Sequence, residues 1–264
     1  VRCAVVGHVE WIESVLVDRV PGPGEIAHAD PGWTEPAGGG SVVAVQLAKL
    51  AGACDFFTAL GRDELGRRSV ERLTELGLAV HAEWLGRTRR GFVQVDAHGE
   101  RTITTVGPKL RPRTLPPMDD YDAVFFVAGE PEALRAARAA RFLAATPREH
   151  ATLRAGGVRL DLLVGSGTDP AEREDGGLEA GLVVRTEGAA GGTYRVPPGA
   201  PRRFAAAPLP GPLADTYGAG DSFAAALCFA LARGDELDAA LALAARAGAA
   251  VVTGAGPFAA QLTR

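Results

Sequence analysis

Cysteine, lysine and methionine are scarce in this 264-residue chain, and no apolar run is long enough to span a bilayer. The three cysteines, Cys3, Cys54 and Cys228, are odd in number, far apart and set in apolar surroundings. That pattern excludes a disulfide framework and a zinc site and leaves three core thiols. Lysine occurs only at Lys49 and Lys109, and the 28 basic against 32 acidic residues leave a net charge of −4. Such a balance gives nucleic acid no electrostatic footing. The first residues, Val1 to Gly7, read as a buried strand rather than a leader, so the expected setting is the cytoplasm, with no membrane partner. No Gly-x-Gly-x-x-Gly follows that strand, where Gly7-His8-Val9-Glu10 stands instead, which sets aside a dinucleotide-binding oxidoreductase.

What is present is ordinary globular material, 47% apolar and 23% charged, enough for one large α/β domain. Short apolar runs bounded by Gly or Asp alternate with Ala- and Leu-rich stretches, the rhythm of βαβ units on a parallel sheet. Strands are predicted at 1–6, 54–59, 123–127, 160–164 and 181–185. Helices are predicted at 41–50, 64–76, 131–145, 222–232 and 236–250, with Ser41 and Asp235 as caps. Two regions break the rhythm. Residues 88–106 alternate apolar and polar around Ala97-His98-Gly99, a half-exposed hairpin, and residues 10–37 alternate at 14–20 before Pro21-Gly22-Pro23-Gly24. Strands that are polar on one side do not belong in a fully buried sheet, so both regions are expected to form a small β lid.

The most telling stretch is Asp215-Thr216-Tyr217-Gly218-Ala219-Gly220-Asp221-Ser222-Phe223, which opens into the apolar helix. Free N–H groups in a helix's first turn, beside residues with little or no side chain, form a seat for an anion. Read alone, Asp221 could be an N-cap and the glycines a tight turn. A carboxylate that would compete with the bound anion makes chemical sense as a general base beside a phosphoryl group.

The nine-residue run closely resembles the second signature of the ribokinase-like (PfkB) carbohydrate kinase family. Pro23-Gly24-Glu25, Pro36 to Gly40, Ala59 to Gly66 and Gly99-Glu100-Arg101 match further landmarks in order, so the resemblance covers nearly the whole chain. It implies a three-layer α/β/α domain over residues 1–264, with a mostly parallel sheet and the lid strands inserted at about 10–37 and 88–106. It also implies an ATP-dependent phosphotransferase acting on an alcohol group, with Asp221 as base and Gly218, Ala219 and Gly220 as anion hole. The glycine loop, Gly38 and Gly39, lies where relatives bind the sugar. Glu130, at a strand end before a helix, reads either as a sugar-hydroxyl ligand or as a charge favoured by the helix dipole. Thr186, Gly188 and Gly191 resemble the segment beside the nucleotide phosphates, with Ala189 and Ala190 where a cation often stands. Thr253 and Gly256 resemble the loop near adenine.

For metals, the resemblance sets Asp169 and Glu172 as indirect, water-mediated Mg²⁺ ligands, the alternative being an exposed acidic helix start continued by Glu174 and Asp175. It sets Asp215 and Thr216 at a monovalent-cation (K⁺) site. The substrate end departs from the family. Glu10 and Ile12 stand where an Asn and an Asp are common, Val42 replaces an Asn and Ala37 a glycine, so Glu10 or Glu13 becomes the substitute ligand. Trp11 and Trp33 are lid packing or flat surfaces for a sugar or a base. The leading reading is a kinase of a small sugar or sugar-like alcohol. The alternatives are a nucleoside kinase of the same family, if a tryptophan stacks on the base, and a ligand-binding protein that keeps the fold without turnover. A homodimer through the lid is the expected protein partner.

Overall fold

The computed structural model describes residues 1–172 and 177–264, so Glu174 and Asp175 lie outside the described residues. Seven parallel strands form the body of a nine-stranded sheet. They are β1 (Cys3–Val6), β4 (Cys54–Leu60), β5 (Leu78–Trp84), β8 (Ala123–Phe126), β9 (Phe142–Ala145), β10 (Leu160–Ser166) and β11 (Ala180–Thr186). Two antiparallel strands, β12 (Gly192–Arg195) and β13 (Arg202–Phe204), complete the order β13-β12-β11-β10-β9-β8-β1-β4-β5. The central strands are buried on both faces, and their alternate residues feed two separate cores. Cys3, Val5 and Phe125 pack with α1 (Gly39–Ala51), α5 (Ala219–Arg233) and α6 (Leu237–Val251) on one side. Ala4, Val6 and Phe126 pack with α3 (Pro131–Ala137) and α4 (His150–Gly156) on the other.

The second sheet has the order β3-β2-β6-β7, from β2 (Glu10–Leu16), β3 (Asp30–Ala37), β6 (Arg90–Val95) and β7 (Arg101–Val106). Helix α2 (Glu64–Glu75) ties it to the body, because Arg72 donates to both carboxylate oxygens of Glu35 on β3 at 2.7 and 2.8 Å. Asp63, the α2 N-cap, accepts from the Gly66 amide and also from the amide and hydroxyl of Thr88, which anchors the base of the β6–β7 hairpin.

The structure corrects several expectations. The predicted helix at 131–145 stops at Ala137, and Phe142–Ala145 instead fills the slot between β8 and β10 as β9. Ala-rich composition favours helix only weakly, and two waiting strand edges override it. Arg138 fixes the break by donating to the Asp161 carboxylate at 2.7 Å and to the Ala140 carbonyl at 2.9 Å. Neither predicted cap acts as one. Gly38 occupies the α1 N-cap, with the Ser41 hydroxyl donating back to its carbonyl at 3.0 Å, and Asp235 pairs with Arg233 while Glu236 precedes α6. Strands β5, β12 and β13 and helix α4 were not foreseen. The three cysteines are free and buried.

Candidate active site

The site forms where two glycine-bearing turns meet at the same ends of neighbouring elements. Strand β1 runs out through Gly7 and His8 into the lid at Glu10, and the loop Gly38-Gly39-Gly40 lies directly on that exit. A Cβ on Gly40 would stand 2.5 Å from the His8 carbonyl oxygen, so only glycine permits the crossing. Across from it, Gly218 has φ +84°, and a Cβ there would meet Val42 at 2.9 Å, which places Gly218 under both a conformational and a steric constraint. Val42 therefore helps to seat the second turn.

Helix α5 starts immediately after Gly218. Its ladder begins with the Ser222 amide donating to the Gly218 carbonyl at 2.8 Å, so the amides of Ala219, Gly220 and Asp221 precede it. A Cβ on Gly220 would meet nothing within 4 Å, which leaves open space over that turn. The two turns converge at Asp221. A Cβ on Gly39 would stand 3.0 Å from its Oδ1, so the expected sugar loop and the expected base lie side by side. Desolvation, reinforced by the negative charge of Glu172 and opposed by Arg101 and Arg148, pushes the Asp221 carboxyl from 3.8 up to about 6.

Beside this point lies a cleft of about 520 Å³, lined by Thr186, Gly188, Gly191, Thr216, Ala219 and Gly220 among others. It thus gathers the predicted phosphate segment and the first turn of α5. Its far wall was not anticipated: Ala206, Ala207, Leu209, Leu213, Ala249 and Val252 form an apolar slot open to a flat ring. Small apolar residues of this kind look like core in a sequence, and no signal distinguished them.

At the other end, Glu10 is buried against Gly38, whose Cβ position lies 3.3 Å from the Glu10 Cγ and from the His8 ring. Burial raises the Glu10 carboxyl, Arg89 at 3.0 Å opposes that rise, and His8 is held well below its usual range by burial and by surrounding cations. His8 is therefore neutral beside Glu10. Glu13 lies farther out, paired with Arg90 at 2.9 Å. Glu130 sits at the α3 N-cap without a side-chain capping bond. Trp11 is buried in the lid under the Arg68 guanidinium, and Trp33 meets Tyr217 edge-on at 5.2 Å.

A family model described as pfkB family carbohydrate kinase matches residues 2–145 and 167–263. The chain belongs to the pfkB family of carbohydrate kinases. No curated protein matches it. Its fold is similar to that of ribokinase from Cryptococcus neoformans in complex with ADP, at 22% identity and a TM-score of 0.80, with 99% of this chain and 96% of that one covered. Ribokinase from Thermotoga maritima gives 21%, 0.77, 100% and 96%, and a nucleoside kinase from Methanocaldococcus jannaschii gives 15%, 0.76, 100% and 95%.

Several positions that pfkB kinases lead one to expect in the site are otherwise engaged here. Thr253 donates to the Ala250 carbonyl at 2.8 Å, and Gly256 lies against Trp33; neither lines the cleft. Asp169 and Glu172 are both held by Arg148, the latter at 2.7 Å, while Glu172 Oε2 also accepts from the Ser166 amide at 2.8 Å. With the guanidinium between them, the two acids do not fit direct Mg²⁺ ligation, and among the described residues no group of three or more metal-binding side chains is assembled. Arg148 and Arg101 are cations near Asp221 whose place the sequence did not disclose. Among the described residues no helix is long and apolar enough to cross a membrane.

Proposed function

We propose that this pfkB kinase transfers the γ-phosphoryl group of ATP to an alcohol of a small sugar or sugar-like substrate. The observation that carries the reading is Asp221, pressed between Gly39 of the sugar loop and the open first turn of α5. Asp221 accepts the alcohol proton as the oxygen attacks the γ-phosphorus, the bond to the bridging oxygen breaks, and ADP leaves with its electron pair. The amides of Ala219 and Gly220 stabilise the equatorial oxygens, and Gly218 shapes the turn that aims them. The adenine ring enters the apolar slot of the cleft, with Thr186, Gly188 and Gly191 along the phosphates. Glu172 would reach a nucleotide-bound Mg²⁺ only through water, and that ion would supply charge neutralisation on the phosphates.

Glu10, Gly38, Gly39 and Glu130 form the acceptor end, and the lid excludes water from it. Both tryptophans are engaged in packing, which supports a sugar over a nucleoside. The outer strand β7 is exposed along its whole length, as are Phe92 and Ile103, and a second copy of the chain is the partner we assign to that edge. The test is a panel of sugars and nucleosides assayed for ADP release. If none stimulates turnover above the Asp221→Asn variant, the kinase reading fails, and a binding protein that keeps the fold takes its place.

A further inference from the structure

Asp215 and Thr216 are the residues that the family resemblance assigns to a monovalent cation, and their surroundings do not suit one. Asp215 is only 5% exposed, so its charge must be compensated locally. Its Oδ2 accepts from the Trp33 indole Nε1 at 2.7 Å and from the Gly256 amide at 3.3 Å, and its Oδ1 accepts from the Tyr217 amide at 2.8 Å. An indole N–H is a donor only, with no lone pair to offer a cation. The Thr216 carbonyl is engaged in the same way, accepting from Arg101 Nη1 at 2.9 Å, while the Arg101 guanidinium lies 5.2 Å over the Tyr217 ring. N–H groups therefore converge on the oxygens that a cation would need.

The donors share an origin. Trp33 comes from β3 and Arg101 from β7, the two edge strands of the lid sheet, and both reach across to the turn that leads into α5. The Trp33 ring is wedged there, in a T-shaped contact with Tyr217 and against Gly256, whose Cβ would stand 3.0 Å from it. We propose that Trp33, assisted by Arg101, takes the place of a monovalent cation at the phosphate turn, so that this kinase needs no such cation and its lid positions the turn directly. Trp33 is a positioning residue: it acts on the amides of Ala219 and Gly220 through Asp215 and Tyr217 and touches no reacting atom.

The proposal rests on the kinase reading only for its activity arm, because unfolding measurements address it without turnover. Wild-type protein, Trp33→Phe and Trp33→His are compared in potassium chloride and in tetramethylammonium chloride at equal ionic strength. Histidine keeps a ring N–H at the position of the indole nitrogen, and phenylalanine does not. The expected result is that wild type has the same melting temperature and kcat in the two salts. Trp33→Phe loses kcat by about tenfold or more, with KM for ATP little changed, and Trp33→His recovers most of that loss. A wild-type melting temperature or kcat that rises with potassium overturns the proposal, since a ligand that binds the native state must stabilise it. Equal rates for Trp33→Phe and wild type overturn it as well, as does a histidine variant no better than phenylalanine. If the phenylalanine variant does not fold, the wild-type comparison in the two salts decides alone. If no acceptor is ever phosphorylated, the melting temperatures still decide.

Discussion

Replacing Asp221 with asparagine should make the protein more stable while it removes turnover. In the native chain the carboxyl is pushed from its ordinary 3.8 to about 6, chiefly by loss of water. Each pKa unit corresponds to about 1.4 kcal/mol, so the ionised base costs the fold about 3 kcal/mol as an upper bound. The native state binds this proton more tightly than the unfolded chain does. The contribution of Asp221 is therefore at its most favourable below pH 3.8 and is lost as pH rises through about 6. Asparagine does not titrate. The gap between variant and wild type should thus be about 3 kcal/mol at pH 8 and about half of that at pH 5. In a chain of this size 3 kcal/mol corresponds to roughly 6–12 °C of melting temperature. Urea unfolding of ligand-free protein from pH 5 to 8 measures it, with stability differences taken at constant m. The same ionisation should appear in kcat/KM as an acid limb falling below about pH 6, because only the carboxylate accepts a proton. A variant that is no more stable than wild type at pH 8, or a gap that stays constant across the range, would refute the reasoning.

The open space over the phosphate turn gives a second expectation. Gly220→Ala meets no atom within 4 Å, and alanine is favoured in a helix by up to about 1 kcal/mol, so the variant should fold at least as well as wild type. Its methyl would occupy the seat of the transferring phosphoryl group, and turnover should fall by about 10²-fold while thermal unfolding stays intact. The thiols supply the third. Burial pushes Cys3 up to about 12 and raises Cys54 and Cys228 well above the usual thiol range, so a disulfide-exchange reagent at pH 8 should titrate three thiols only after denaturation. Rapid reaction of any one of them in native buffer would contradict the packing.

What the sequence disclosed followed from how locally each feature is encoded. The run from Asp215 to Phe223 carries its own meaning, because a glycine with positive φ, a helix start and a carboxylate all lie within a few residues. The hairpin at 90–106 was legible for the same reason, through alternation around a short turn. Phe142–Ala145 was not, because its conformation is decided by β8 and β10 rather than by its own residues. The hold of Arg148 on Asp169 and Glu172, which excludes direct metal ligation, spans 21 and 24 residues and has no periodic signature. The Trp33–Asp215 bond spans 182 residues, and only the folded chain reveals it.

Helix α5 is the element that joins these observations. From Ser222 to Ala230 every residue is buried, so the base in its first turn has its position fixed by the main core rather than by a surface loop. Glu10, the acceptor ligand proposed above, has a different foundation: it stands at the root of a thin four-stranded sheet with a solvent-exposed outer strand. The molecule is thus divided into an inflexible reaction frame and an exchangeable recognition panel. Selection for a new substrate can rework β2 and β6 while Trp33 and Arg101 keep the phosphate turn in place, whereas a volume change as far away as Leu227 or Phe229 should register in the turnover number before it registers in the choice of sugar.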